Sequence, residues 1–343
     1  MSVAYRAVGW NPQKQRYDAT LAVGVCAMLA VLAGGGALVN PNATIETLLI
    51  RAFAVSAFVL LHAVLSIGPL CRLDRRFLPL LYNRRHLGVT MFCLALAHGV
   101  FALVQFHALG DAHPLVSLLT SGGLDGGVAA FPFQQLGLAA LVILFVMAAT
   151  SHDFWLHNLT PAVWKTLHMG VYAAYALVVM HVALGALQSE RSGWLAATVG
   201  AGVLWVLGLH AAAALRERAT DELPPHAAGA LVDVCGVTEI PDSRAVVRCV
   251  GGERVAVFRY GNAVSALSNV CRHQNGPLGE GKIVNGCIVC PWHGYEYRPD
   301  TGASPPPFTE SVETFTVVVR NGRVLIDPRA HAPGTRVDPA RIP

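Results

Sequence analysis

Cys271-Arg272-His273, then sixteen residues, then Cys290-Pro291-Trp292-His293 is the stretch that decides how the C-terminal part of the chain folds. Each half offers a thiolate and an imidazole two or three positions apart, so each pair fits on one tight loop. Two such loops brought together present two Cys and two His. On a binuclear iron–sulfur cluster that set divides as two thiolates on one iron and two imidazoles on the other. Zinc also accepts two Cys and two His. A zinc finger, however, usually pairs Cys with Cys and His with His in front of a helix, whereas here the pairs are mixed.

Outward from the loops, the sequence reads as short strands: Ala245–Val250, Arg254–Arg259, Ala263–Ser268, Thr314–Val319 and Arg323–Ile326. Gly251-Gly252, Gly261-Asn262 and Asn321-Gly322 mark hairpin turns between them. This is a small all-β domain. With Gly294, Gly302 and the run Pro305-Pro306-Pro307, the stretch from about 231 to 328 closely resembles Rieske ferredoxin domains. The resemblance implies a Rieske [2Fe–2S] cluster on Cys271, His273, Cys290 and His293. It also departs from the respiratory-complex type, which has an extra Cys in each cluster loop. Here Gln274, Asn275, Gly276 and Trp292 stand in that region, and Cys287 is left without a disulfide partner. Tyr295 replaces a serine, which removes one hydroxyl donor to the cluster sulfurs. Such hydrogen bonds raise the potential, so a lower-potential, ferredoxin-like cluster is expected.

Composition sets the rest of the chain apart. Of 343 residues only 13% are charged and 54% are hydrophobic, which points to a membrane protein. The net charge of +4 is modest, and the basic residues sit in loops and at helix ends, so nucleic acid is not implied. Six apolar segments lie at roughly 19–39, 47–70, 86–106, 131–150, 165–187 and 193–215. Each is near the ~20 residues that cross a hydrocarbon core. The first is too long for a signal peptide. The 71–85 connection carries Arg72, Arg75, Arg76, Arg84 and Arg85, and Arg216 and Arg218 follow the sixth span. The 107–130 loop has neither Lys nor Arg. The positive-inside rule then places both termini in the cytoplasm. Cys71, Cys235 and Cys249 show no ligand spacing and read as reduced, structural thiols.

Spans three and five run in the same direction, and each carries two histidines: His86 and His98, His168 and His181. Separations of 12 and 13 residues are ~18–20 Å along a helix at about 1.5 Å per residue. Two pairs at matched depths are what two stacked b-type haems require, one imidazole from each helix per iron. A single intramembrane His could instead bond only a neighbouring helix. The phase is awkward, because 12 steps turn a helix by about 120° and 13 by about 220°, so the two His of each helix lie on different faces. His86, beside two arginines, is either a ligand or a headgroup contact. His62 and His210 are alternative inner ligands. His107, His113, His152 and His157 fall in loops and read as solvated.

Arg84-Arg85-His86-Leu87-Gly88-Val89 followed by His98, and Trp164-Lys165-Thr166-Leu167-His168 through His181, resemble the ferric reductase-like transmembrane family over roughly 47–215. The resemblance implies a cytochrome b type domain holding haem on His98, His181, His168 and His86, with one or two haems passing single electrons across the membrane. The oxidases of that family space the two ligands of this helix slightly further apart than His86 and His98. Many relatives end in flavin and nicotinamide domains. No G-x-G-x-x-G after a strand and no P-loop occurs here, and the Rieske domain takes their place.

The expected fold is a membrane all-α six-helix haem-binding bundle followed by a small all-β Rieske domain. The expected divisions are a transmembrane domain 1–218, a linker 219–229, a Rieske domain 230–328 and a C-terminal tail 329–343. The expected function is transmembrane electron transfer in a bacterial-type plasma membrane. A cytoplasmic reductase or ferredoxin would be the donor, and a quinone, metal ion, oxygen or protein the acceptor. The alternative is an electron-entry or redox-sensing subunit with no substrate of its own. A Rieske oxygenase would need a mononuclear iron triad of two His and a carboxylate, and none is evident.

Overall fold

The structure, a computed structural model, describes residues 12–121, 132–152, 154–155, 159, 161–189, 193–221, 231–273, 276–292 and 294–343. His293, Gln274, Asn275, His157, the linker beyond Asp221 and part of the 107–130 loop lie outside the described residues.

The N-terminal part is built of α1 (Pro12–Val39), α2 (Ile45–Leu73), α3 (Arg84–His107), a short α4 (Pro114–Thr120), α5 (Phe133–Thr150), α6 (Pro161–Leu184) and α7 (Gly193–Asp221). Among the described residues six helices, all but α4, are long and apolar enough to cross a membrane. Local signals set the breaks. The Thr44 hydroxyl caps α2 by accepting the Thr47 amide at 3.3 Å. Asp74 closes α2, and its carboxylate accepts the Arg76 amide at 2.9 Å to start a 3₁₀ segment, Arg75–Asn83, that leads directly into α3. His107 corrects the sequence reading. It is the last residue of α3, is buried, and its ring bonds Ser117 (2.9 Å) and Gln134 (3.0 Å), so it ties α3, α4 and α5 together and is not solvated.

Five helices meet in one core of Leu61 and Leu65 (α2), Phe92 (α3), Leu144 (α5), Tyr175 (α6) and Val206 (α7). The Trp205 indole N–H donates to the buried Ser66 hydroxyl at 3.0 Å and joins α7 to α2, a contact worth about 1 kcal/mol in lipid. Val31, Leu38, Leu204 and Leu215 face outward, where a soluble protein would place polar groups. This is an integral membrane protein.

Among the described residues the all-β part has three antiparallel sheets. One runs β1 (Val232–Gly236), β10 (Arg323–Ile326), β9 (Val317–Arg320). The second runs β11 (Ala340–Arg341), β4 (Ala263–Ser268), β3 (Glu253–Tyr260), β2 (Arg244–Val250), with β8 (Thr314–Phe315) also on β4. The third runs β5 (Lys282–Val284), β6 (Cys287–Val289), β7 (Glu296–Tyr297). The first two sheets enclose a Val/Ile core that includes Val255, Val257, Val264 and Ile326. Asn321 and Gly322 both take positive φ (50° and 73°), the conformation a two-residue hairpin between β9 and β10 requires. The segment set apart as a tail returns to the sheet, where Ala340 and Arg341 pair with Val264 and Ala263.

The β domain rests on the bundle end where α2 and α7 finish and α3 and α6 begin. Arg72 of α2 lies 3.1 Å from Glu217 of α7 and 3.9 Å from Glu280 of the β domain. Glu217 also meets Arg254 of β3 at 3.5 Å. This is the end that carries Arg84, Arg85, Lys165 and Arg216.

Candidate metal centres

The two cluster loops are closed by their own backbones. The Cys271 amide donates to Gly276 O at 2.9 Å, and the Cys290 amide to Tyr295 O at 2.7 Å. Both cysteines are 1% exposed and belong to one buried cluster with Phe258, Leu278, Tyr295 and Tyr297. The loops face each other. A Cβ on Gly276 would lie 2.7 Å from Cys290 Sγ, so only glycine lets the first loop approach the second loop's sulfur. His273 is buried and stacks on Tyr295, ring centroids 4.5 Å apart. None of the eight cysteines forms a disulfide. Cys287 is half-buried, and burial pushes its thiol pKa up.

Sequence reading missed Tyr297. Its hydroxyl accepts the Arg272 amide at 3.1 Å, which leaves its proton free to donate to Cys271 Sγ at 3.3 Å. Burial and then the adjoining Cys271 push the phenol pKa upward, so it stays a donor. The signal was the pair of tyrosines two residues apart at the start of β7, both buried in the cluster around Cys271 and Cys290. The loss of a serine hydroxyl is thus accompanied by a tyrosine donor to a thiolate. Two buried thiols, an adjoining imidazole, a hydroxyl aimed at sulfur and a glycine-sized gap between the loops fit an iron–sulfur cluster.

In the bundle, His98 and His181 come together. Their ring centroids are 6.2 Å apart at an interplanar angle of 72°. Each Nδ1–H donates to a backbone carbonyl, His98 to Ile50 O at 3.1 Å and His181 to Phe133 O at 2.8 Å. A carbonyl only accepts, so both Nε2 atoms are the unprotonated, ligating kind. Two metal–nitrogen bonds of about 2 Å plus two half-rings separate such centroids by roughly 6 Å. The pair fits one iron between two imidazoles. It lies at the end of the bundle away from the β domain, since Ile50 and Phe133 open α2 and α5.

The other two histidines are not brought together. His86 Nδ1 donates to Asp18 of α1 at 2.6 Å. His168 has other partners, its Nε2 3.2 Å from the Ser151 hydroxyl and its Nδ1–H donating to Trp164 O at 2.9 Å. It lines a cavity of about 600 Å³ between the bundle and the β domain, with Arg84, Gly88, Trp164, His210 and Trp292. His86 is not on that wall, whereas His210 is. His210 Nδ1–H donates to Val206 O (2.9 Å) and its Nε2 accepts from Tyr172 OH at 3.2 Å. His62 makes the same kind of bonds, to Phe58 O (2.8 Å) and Tyr175 OH (3.0 Å), but it is not on the cavity wall.

The fold and these sites define an iron–sulfur β domain docked on a histidine-bearing membrane bundle. A family model for the Rieske [2Fe-2S] domain matches residues 230–316, and one for the ferric reductase like transmembrane component matches 50–179. The chain belongs to the Rieske [2Fe–2S] family through its C-terminal domain, and its bundle carries a ferric reductase-like transmembrane domain over 50–179. The anthranilate 1,2-dioxygenase ferredoxin subunit of Burkholderia cepacia is 30% identical over 92 residues, 26% of this chain and 85% of that protein. The ferredoxin component of the alkene monooxygenase system of Xanthobacter autotrophicus is 30% identical over 96 residues, 28% of this chain and 79% of that one. Among solved structures, the ferredoxin of carbazole 1,9a-dioxygenase from Nocardioides aromaticivorans is 29% identical. It covers 29% of this chain and 100% of its own, with a TM-score of 0.28. A ferredoxin-type domain joined to a ferric reductase-like membrane domain makes an electron-transfer protein of the membrane.

Proposed function

We propose that the protein carries single electrons between a Rieske cluster on the cytoplasmic side and b-type haems inside the bundle. The single observation that carries this reading is the His98–His181 pair, two imidazoles 6.2 Å apart with both Nδ1 positions committed to carbonyls. Cluster and haem, when bound, each supply reversible one-electron storage at iron. Cys271, His273, Cys290 and His293 hold the cluster, with Tyr297 donating to the first sulfur. His98 and His181 hold the outer haem. His168 holds an inner haem in the cavity, and His210 replaces His86 as its partner because it shares that wall. Arg84, on the same wall, supplies the cation that a haem propionate needs. The domain divisions are those set out from the sequence, with 329–343 joining the Rieske unit through β11.

The arginine-rich end faces the cytoplasm of a bacterial-type plasma membrane. The ferredoxin relatives serve oxygenase systems by name, and the same one-electron carriage is assigned to this domain. A cytoplasmic reductase or ferredoxin therefore loads the cluster, and a quinone, metal ion, oxygen or protein unloads the outer haem. Purified protein should show low-spin b-haem absorption, a Rieske EPR signal and two haems per [2Fe–2S]. Cys271→Ser should lose the EPR signal and keep the haem bands. Material with a full cluster and no haem would reject the reading.

A further inference from the structure

Trp292 stands inside the second cluster loop, between Cys290 and His293, and packs against both loops: a Cβ on Gly276 would meet its ring at 3.2 Å. On its other side it reaches the membrane domain. Its ring centroid is 6.1 Å from that of Trp164, the fourth residue of α6, and the Arg84 guanidinium lies 6.0 Å from its ring. Trp164 is buried at 7% exposure and fixed by an N–H bond to Thr150 O at 3.2 Å. One helical turn further on, Trp164 stacks on His168, centroids 3.8 Å apart and planes within 22°. Cys290, Trp292, Trp164 and His168 thus form an unbroken run of packed side chains from the cluster loop to the inner-haem histidine.

Tryptophans at a domain interface are commonly packing anchors. Two features set this pair apart. Each ring adjoins a candidate iron ligand, Cys290 at one end and His168 at the other. The pose is also held separately, by Glu217 of α7, whose carboxylate meets Arg72 of α2 and Arg254 of β3. The rings are not needed to carry the docking alone.

We propose that Trp292 and Trp164 are the positioning residues through which an electron passes between the cluster loops and the haem held by His168, in the pose fixed by the Arg72–Glu217–Arg254 charges. The inference rests on the functional reading above. One electron leaves a reduced [2Fe–2S] cluster, whose ferrous iron becomes ferric, and one ferric haem iron becomes ferrous. No bond forms or breaks and no proton moves.

The test uses the full chain in detergent or nanodiscs, loaded with cluster and haem. Cluster-to-haem electron transfer is followed optically after rapid reduction of the cluster. Docking is read without any redox step, from the protease sensitivity of the 219–229 linker, with cleavage quantified by mass spectrometry. Trp292→Leu and Trp164→Leu should slow transfer roughly tenfold or more, because removing the rings opens the path that positions one cofactor against the other. Linker cleavage, cluster EPR signal and haem content should be unchanged, and Trp292→Phe should restore most of the rate. An unchanged rate in a fully loaded Leu variant with its linker protected overturns the inference alone. Faster linker cleavage in the Leu variants also overturns it, by making the rings docking anchors. Absence of haem from the wild-type protein overturns the functional reading itself.

Discussion

The two ends of the bundle use nearly the same sequence spacing to different effect. At the distal end His98 and His181 face each other, while at the end under the Rieske domain His86 and His168 turn apart, one to Asp18 and one to Ser151 and the cavity. Twelve or thirteen steps along a helix do not return a side chain to the same face. If one pair converges, the other must diverge unless a helix bends. On the proposed function the distal haem is held by its two helices, and the proximal one recruits a ligand from a third. The sharpest way to break this comparison is His98→Ala or His181→Ala. Each should remove one haem of two and leave the other's spectrum and the Rieske EPR signal in place. Retention of both haems in both variants would end the assignment.

At the proximal end the expected contrast is between His210 and His86. His210→Ala should lose the inner haem, as His168→Ala should. His86→Ala should keep it and cost no more than about 1 kcal/mol, the value of a partly exposed hydrogen bond to Asp18. Thermal melts and haem content measured on the same samples separate the two. Haem loss in His86→Ala with full retention in His210→Ala would return the ligand to α3.

The sequence carried the helices, the hairpins and both cluster motifs because each is a local pattern: apolar runs, Asn-Gly and Gly-Gly turns, Cys and His two or three apart. It also carried His98 and His181, whose depths match. It could not show that His86 belongs to Asp18, 68 residues away, since that pairing depends on how α1 packs. In the sequence Trp164 is part of a family motif, and Trp292 stands in the region where the respiratory type has an extra cysteine. Their contact requires the docking of two domains. Glu280 likewise gains its meaning from Arg72 and Glu217, which reach it only across the interface.

A smaller effect sharpens the distal site. A Cβ on Gly137 would lie 2.9 Å from Cε1 and Nδ1 of His181, while Gly88 faces open space on the cavity wall. Gly137→Ala should displace the His181 ring and weaken its bond to Phe133 O, costing about 1–3 kcal/mol as overpacking. Outer-haem occupancy should fall in proportion. Gly88→Ala adds a methyl with no neighbour within 4 Å and should leave the fold unchanged. Equal damage from both would mean that the two glycines serve helix packing generally.

The smallest expected effect concerns the interface itself. Glu280 is pushed up to about 7, first by burial and then by the nearby Glu217, with Arg72 opposing. A carboxyl whose pKa is higher docked than free binds its proton more tightly when docked. Docking is therefore fully favoured below the free value of 4.5 and weakens as pH rises through about 7. Arg72 at 3.9 Å and residual water around the side chain reduce the effect to the order of 1 kcal/mol. Protease sensitivity of the linker reports docking here too. Between pH 5 and 8 the wild-type linker should become easier to cut, and Glu280→Gln should flatten that trend at the protected level. A trend of the opposite sign would mean that the ionised Glu280–Arg72 pair, and not the buried acid, holds the domain against the bundle. The proximal site would then close on the cluster most firmly at neutral pH.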